Sequence, residues 1–296
     1  MKKINITWKD GIEDTTSYLF SFAKALGTAI KNSPYHEAAE DIIATSGFAF
    51  RMWIAEKDLN PSAMCEWELD SQKPWVDSGG FTCDYVGRYW DQGDIEEKER
   101  DEAIQIITSS LDRGIPAIVW NICGTEWGLV TGYNDEKKEF NTLSITGVDG
   151  TMPYQNLGNE EVPILSVLTI TGRTDKPQEE IQKDAIKLAV THLKGEEGGK
   201  NVTGLKIYPV FLEFFKDRFD NYLSWNMEYH LGTYGGLKYY AYLYFKKQGL
   251  DELAELYQII YGKWKAAFDL IRYRDITGEN IRNNTVNMLT EAYEAE

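Results

Sequence analysis

The chain reads as an α+β protein in two parts: helices packed on an antiparallel sheet over residues 1–172, then an all-helical domain over residues 178–296. Three observations predict this. Strand-like apolar runs follow one another between 115 and 171 with no helix between them, which implies antiparallel pairing. From residue 184 onward the apolar residues recur at helical spacing only. Between these regions lies GRTDKPQEE, residues 172–180, a polar stretch with a proline that suits a domain boundary.

Taken in order, Ile4, Ile6 and Trp8 suggest a short strand and Asp10-Gly11 a turn. Asp14, Thr15 and Thr16 then precede the apolar set Tyr18, Leu19, Phe22, Ala23 and Leu26, so a helix is expected to open there and close at Gly27. A second helix is expected over 37–52, with the small residues Ala44-Thr45-Ser46-Gly47 in its middle. Residues 56–95 lack periodicity and read as irregular loops; a helix over 95–113 ends at Gly114 and Pro116. The segment 115–123 is nearly all apolar, as a strand buried on both faces would be. Further strands are expected over 126–133, 140–145 and 164–171, with a turn-rich stretch over 147–158. The later helices are expected over 184–193, 204–219, 221–248, 251–273 and 279–294, and the stripe Leu253, Leu256, Tyr257, Ile260, Trp264, Phe268 reads as bundle core.

The 296 residues suit about two domains. With 47 acidic against 31 basic residues, a net charge of −16, a nucleic-acid surface is disfavoured. That charge describes a solvated acidic surface first, and would favour a cationic ligand. The cysteines Cys65, Cys83 and Cys123 are three and widely spaced, so neither a disulfide framework nor a zinc ribbon is indicated. The histidines His36, His192 and His230 are scattered, so no metal site is expected, and no motif implies a cofactor. Two lysines near the start precede no apolar run, and no stretch has the length of a membrane span. A cytoplasmic protein is the expectation.

One stretch has a sharper shape. Residues 114–135, GIPAIVWNICGTEWGLVTGYND, give a strand, a short loop and a second strand opened by the polar Glu126. This resembles the central hairpin of papain-like cysteine peptidases, in the branch related to bacteriocin leader peptidases, where the second strand opens with the catalytic His. The N-terminus resembles the first helix of the butirosin biosynthesis protein H family, which opens with Cys and closes at a Gly thirteen positions on; Asp14 stands at that spacing from Gly27. Ser46-Gly47-Phe48-Ala49-Phe50-Arg51 is similar to that family's small-Gly-x-x-Phe motif. Asp149 with Met152-Pro153-Tyr154 and Leu157-Gly158 is similar to its segment after the hairpin, and Gly204–Tyr208 with the His230 helix to its C-terminal helical region.

The resemblance covers nearly the whole chain and implies a papain-like fold acting on small molecules. The family's acyl transfer needs a thiolate and an imidazole. Asp14 and Glu126 stand at those positions here, and two facing carboxylates would share a proton or hold a cation. The site residues that follow are Asp14 and Glu126 as catalytic candidates, with Ser46, Trp120, Cys123, Trp127, Asp149 and Tyr154 for binding. Each also has a plainer reading. Asp14 suits a helix N-cap, Glu126 a hairpin residue on backbone amides, Asp149 a turn beside Gly150, Cys123 strand-end packing and Ser46 a small packing residue. The expected function is a small-molecule site at the junction of the two domains, in a catalytically altered relative of acyltransferases and peptidases. The alternatives are an active acyltransferase or amide hydrolase with unorthodox residues, or a protein-interaction module using an aromatic helical face.

Overall fold

A computed structural model describes residues 1–65, 69–93, 97–122, 124–147, 149–159 and 162–296. In chain order it contains β1 (Lys2–Lys3), α1 (Ser21–Lys31), α2 (Asp41–Thr45), β2 (Trp53–Ile54), α3 (Gln72–Ser78), β3 (Phe81–Arg88), α4 (Glu97–Asp112), β4 (Ala117–Trp120) and β5 (Trp127–Asn134). There follow β6 (Glu139–Leu143), β7 (Asp149–Pro153), β8 (Leu165–Arg173), α5 (Gln178–Leu193), β9 (Val202–Thr203), α6 (Ile207–Glu213), α7 (Ser224–Lys247), α8 (Asp251–Ile271) and α9 (Glu279–Ala295). The protein is thus mixed helix and antiparallel sheet with a C-terminal helical stretch. It divides into a sheet unit, Met1–Glu13, Ser21–Ile42 and Leu69–Gln178, and a helical unit, Asp14–Phe20, Ile43–Glu68 and Glu179–Glu296.

In the sheet unit the strand order is β3-β8-β4-β5-β6-β7, with β1 added beside β5, and every pairing is antiparallel. Ala117 and Val119 of β4 and Val130 of β5 join Ala103, Ile107 and Leu111 of α4 in one core cluster. On the alternate register positions Trp127 meets Phe22 of α1 edge-to-face, ring centroids 4.9 Å apart. The hairpin is therefore covered on both faces, which is why its sequence is apolar without alternation.

In this sheet β3 and β7 escape the sequence reading. β3 lies in the segment expected to be loops, and pairs with β8 along its whole length through a bulge at Thr82/Cys83. Its buried Phe81 and Cys83 alternate with exposed Thr82 and Asp84, but half-buried Tyr85 and Val86 break the period. β7 lies in the stretch expected to be turns. It is the last strand in the sheet order, where Pro153 is tolerated because an edge strand has amides to spare.

The first two helices also differ from expectation. Asp14 Oδ1 accepts from Leu19 N at 3.2 Å, Thr16 Oγ1 accepts from Tyr18 N at 3.2 Å, and Ser17 is left-handed at φ 65°. These local bonds make turns, so α1 begins only at Ser21. Gly27 is inside α1, and its lack of a side chain serves close packing: a Cβ there would stand 2.5 Å from Ile12 Cδ1 and 3.1 Å from Ala39 O. The second expected helix shrinks to α2 after a 3₁₀ turn, His36–Ala38, because Gly47 at φ 88° turns the chain away. The start of the 95–113 helix falls partly outside the described residues; from Glu97 it is as expected.

The helical unit is built on α7 and α8. Tyr257, Ile260, Trp264 and Phe268 are buried as the stripe predicts, whereas Leu256 faces solvent. The expected 204–219 helix is instead a 3₁₀ turn (Gly204–Lys206), α6 and a π turn (Phe214–Arg218). A short strand pair also occurs, Trp53 opposite Thr203 and Ile54 opposite Val202; the sequence predicts no strand at either place.

The Ser46–Arg51 motif finds its physical reason here. Arg51, 2% exposed, donates from Nη1 to Ser46 O at 2.6 Å and from Nη2 to Glu197 Oε1 at 2.8 Å. His192 Nδ1 meets Glu197 Oε2 at 2.6 Å, while Met52 N donates to His192 Nε2 at 2.6 Å. His192 Nε2 also lies 3.0 Å from Met52 O. Gly47 is required because a Cβ would sit 2.3 Å from Arg51 Nη1, at a backbone φ of 88°. Burial pushes the Glu197 carboxyl up, but the hydrogen bonds from His192 and Arg51 outweigh it and bring it down to about 2 from an ordinary 4.5.

A depressed folded-state pKa gives stability that is present above the unfolded value and lost as pH falls. Unfolding titrations are expected to lose about 3 kcal/mol through Glu197 as pH drops from 4.5 to about 2. Glu197→Gln should reduce that loss, while costing about 3–5 kcal/mol at neutral pH because it strands the buried Arg51. An unchanged acid slope in the variant would show that other carboxylates carry it.

Candidate functional site

The site is built where α1 begins and β5 begins, both in the sheet unit. Trp120 and Trp127 are direct cross-strand partners, with ring centroids 5.5 Å apart. Between them the loop closes on itself: Asn121 N donates to Glu126 O at 2.9 Å, Ile122 N to the same oxygen at 3.3 Å, and Glu126 N to Gly124 O at 2.7 Å. Asn121 is left-handed at φ 65°, a conformation that Asn tolerates. Its side chain donates to Val162 O at 3.2 Å, which fixes the loop to the segment before β8.

This geometry delivers the half-buried Glu126 to the first turn of α1. Ser21 Oγ, at the first helical position, donates to Glu126 Oε2 at 2.5 Å and accepts from Trp127 N at 3.3 Å. Ser21 is buried, 3% exposed. A carboxylate beside a helix N-terminus is favoured by the helix dipole, typically by about 0.3–1 kcal/mol. None of the histidines belongs to this arrangement. His36 lies in the 3₁₀ turn, and His192 and His230 are fully buried in the helical unit against Met52 and Leu59.

Asp14 belongs to the helical unit and bonds Leu19 N, so it does not open α1. Ser46 is fully buried in the helical unit, its carbonyl on Arg51. Asp149 is exposed at the start of β7, opposite Leu143. Tyr154 is buried with its hydroxyl donating to Asp135 Oδ1 at 3.1 Å, its ring tilted on Phe140 at 4.3 Å. It also walls a groove of about 470 Å³ with Glu97, Arg100, Asp101 and Lys138. Cys123 lies outside the described residues. Cys83 is buried, and burial with the neighbouring Asp77 carboxylate pushes its thiol up, away from thiolate chemistry.

Sequence reasoning missed Ser21. A serine three residues after Tyr18 in an apolar run carries no signal by itself; only the delayed helix start reveals it. Among the described residues no group of three or more His, Cys, Asp or Glu could hold a metal ion, and no helix is long and apolar enough to cross a membrane. No protein-family model matches the chain, and no curated protein sequence matches it.

The Ser21–Glu126 bond should behave as a buried hydrogen bond to a charged group. Ser21→Ala, which leaves Trp127 N and the carboxylate without their hydroxyl, is expected to cost about 1.5–3 kcal/mol in urea unfolding. Glu126→Gln keeps an acceptor and should cost under about 1 kcal/mol. Equal losses in the two variants would show that the carboxylate charge, and not the hydroxyl, holds the site.

Proposed function

We propose that the chain is a small-molecule-binding, catalytically altered relative of the papain-like acyltransferases and peptidases, with its ligand at the mouth between Ser21 and Glu126. One observation carries this reading: the first residue of α1 and the residue opening β5 are joined by a hydrogen bond of 2.5 Å. The resemblance puts a nucleophile at the start of the first helix and an imidazole at the start of the second hairpin strand. The start of α1 at Ser21 supports reading Ser21 at that helix-start place, where the sequence spacing alone suggests Asp14.

A hydroxyl donating to a carboxylate does not form the thiolate–imidazolium pair on which thiol acyl transfer depends. The Glu126 carboxylate accepts from Ser21 where the resembling site would present an imidazole base. The same carboxylate is well suited to receive an ammonium group, and a net charge of −16 steers cations toward the protein. The ligand class is therefore an amine-bearing small molecule. The second reading, an acyltransferase or amide hydrolase, would use Ser21 as nucleophile with Glu126 as its base, and the shortness of their bond is what favours it.

Trp120 and Trp127 make the site its own reporter. Titration with spermidine and with kanamycin is expected to give a saturable change in indole fluorescence for at least one of them. Glu126→Gln should weaken that binding about tenfold, the weight of one charge-assisted bond of roughly 1.5 kcal/mol. Binding undiminished in Glu126→Gln, or rapid stoichiometric alkylation of Cys123 by iodoacetamide at neutral pH, would overturn the reading.

A further inference from the structure

A second arrangement, wholly inside the helical unit, is a receptor for a carboxylate group. Lys238 of α7 donates from Nζ to Glu296 Oε1. Tyr257 of α8 donates to the same oxygen at 3.2 Å, and Tyr208 of α6 donates to Oε2 at 2.7 Å. Trp264 Nε1 donates to the Tyr208 hydroxyl at 2.8 Å, which leaves that hydroxyl's own proton for the carboxylate. The Lys238 and Glu296 side chains are both 0% exposed.

The donors and the acceptor are differently anchored. Tyr208, Lys238, Tyr257 and Trp264 sit on three helices and are themselves buried, with the Lys238 ammonium 5.7 Å from the Tyr257 ring centroid. The acceptor is one residue following α9, a helix that buries only Thr285, Leu289 and Ala292. Tyr293 of α9 stacks on Tyr208 at 4.9 Å but is 39% exposed. The carboxylate is carried just past α9 and its donors by α6, α7 and α8, so local opening of α9 would separate the two. Without the carboxylate, an ammonium and two phenols would be buried without an acceptor, so the pocket demands an anion of carboxylate shape.

We propose that the Lys238–Tyr208–Tyr257 pocket is a monocarboxylate receptor whose resident ligand is the Glu296 side chain, making α9 a strap held by an internal ligand. This goes beyond the Ser21–Glu126 reading and does not depend on it.

Glu296→Ala removes the CH₂–COO⁻ that acetate can replace. The variant is expected to melt about 10 °C below the wild type, as for loss of one partner of a buried pair in a chain of this size. Acetate should recover at least half of that shift and re-protect the α9 amides from hydrogen exchange, where chloride at equal ionic strength does neither. Adding Lys238→Met should abolish the acetate response. If Glu296→Ala does not accumulate folded, refolding yield in acetate against chloride is the same readout. An unchanged melting temperature in Glu296→Ala, or equal effects of acetate and chloride, would overturn the proposal and leave an ordinary structural ion pair.

Discussion

The β4–β5 hairpin is clamped on both faces, and the placement of Glu126 depends on that clamp. On one side the cluster around Val119 and Val130 packs against α4; on the other Trp127 packs against Phe22. Even a methyl group has no room at Gly128, where a Cβ would meet Ile122 Cβ at 2.7 Å and Leu143 O at 2.8 Å. A strand held so closely cannot slip, because a one-residue slip would send every side chain to the wrong face. The loop it carries closes on the Glu126 carbonyl, and the carboxylate accepts from Ser21 at the start of α1.

A carboxylate in that place changes what the site can do. Protein sites that activate hydroxyls or thiols pair them with a base whose pKa lies near neutrality. Ser21 instead gives its proton to an acceptor that is favoured as an anion by the helix dipole, in a protein that is acidic as a whole. The helical unit uses carboxylates differently: Glu197 and Glu296 neutralise buried Arg51 and Lys238 and order the chain around them.

Much of the fold was legible because apolar periodicity was strong. The 115–123 and 126–133 runs and the α8 stripe announce two-sided burial and a bundle core, and those elements lie close to where the pattern puts them. What was not legible depended on short-range bonds and on tertiary contacts. Asp14, Thr15 and Thr16 have the composition of a helix start, yet the bonds to Leu19 and Tyr18 and the left-handed Ser17 use them as turns. That displacement hid Ser21, because α1 opens seven residues after Asp14. β3 and β7 were illegible because neighbouring strands, not their own residues, make them strands. Tyr154, a binding candidate in the sequence, is buried against Phe140 and also walls a groove.

A binding pair and a nucleophile with its base differ in how Ser21 meets an electrophile. Intact-mass analysis after incubation with a fluorophosphonate, which modifies only serines activated for attack, separates them. A binding pair gives no adduct on Ser21 in the wild type, at any pH where the protein is folded. A stoichiometric adduct on Ser21 that disappears in Glu126→Gln would contradict it and make the pair an active catalytic dyad.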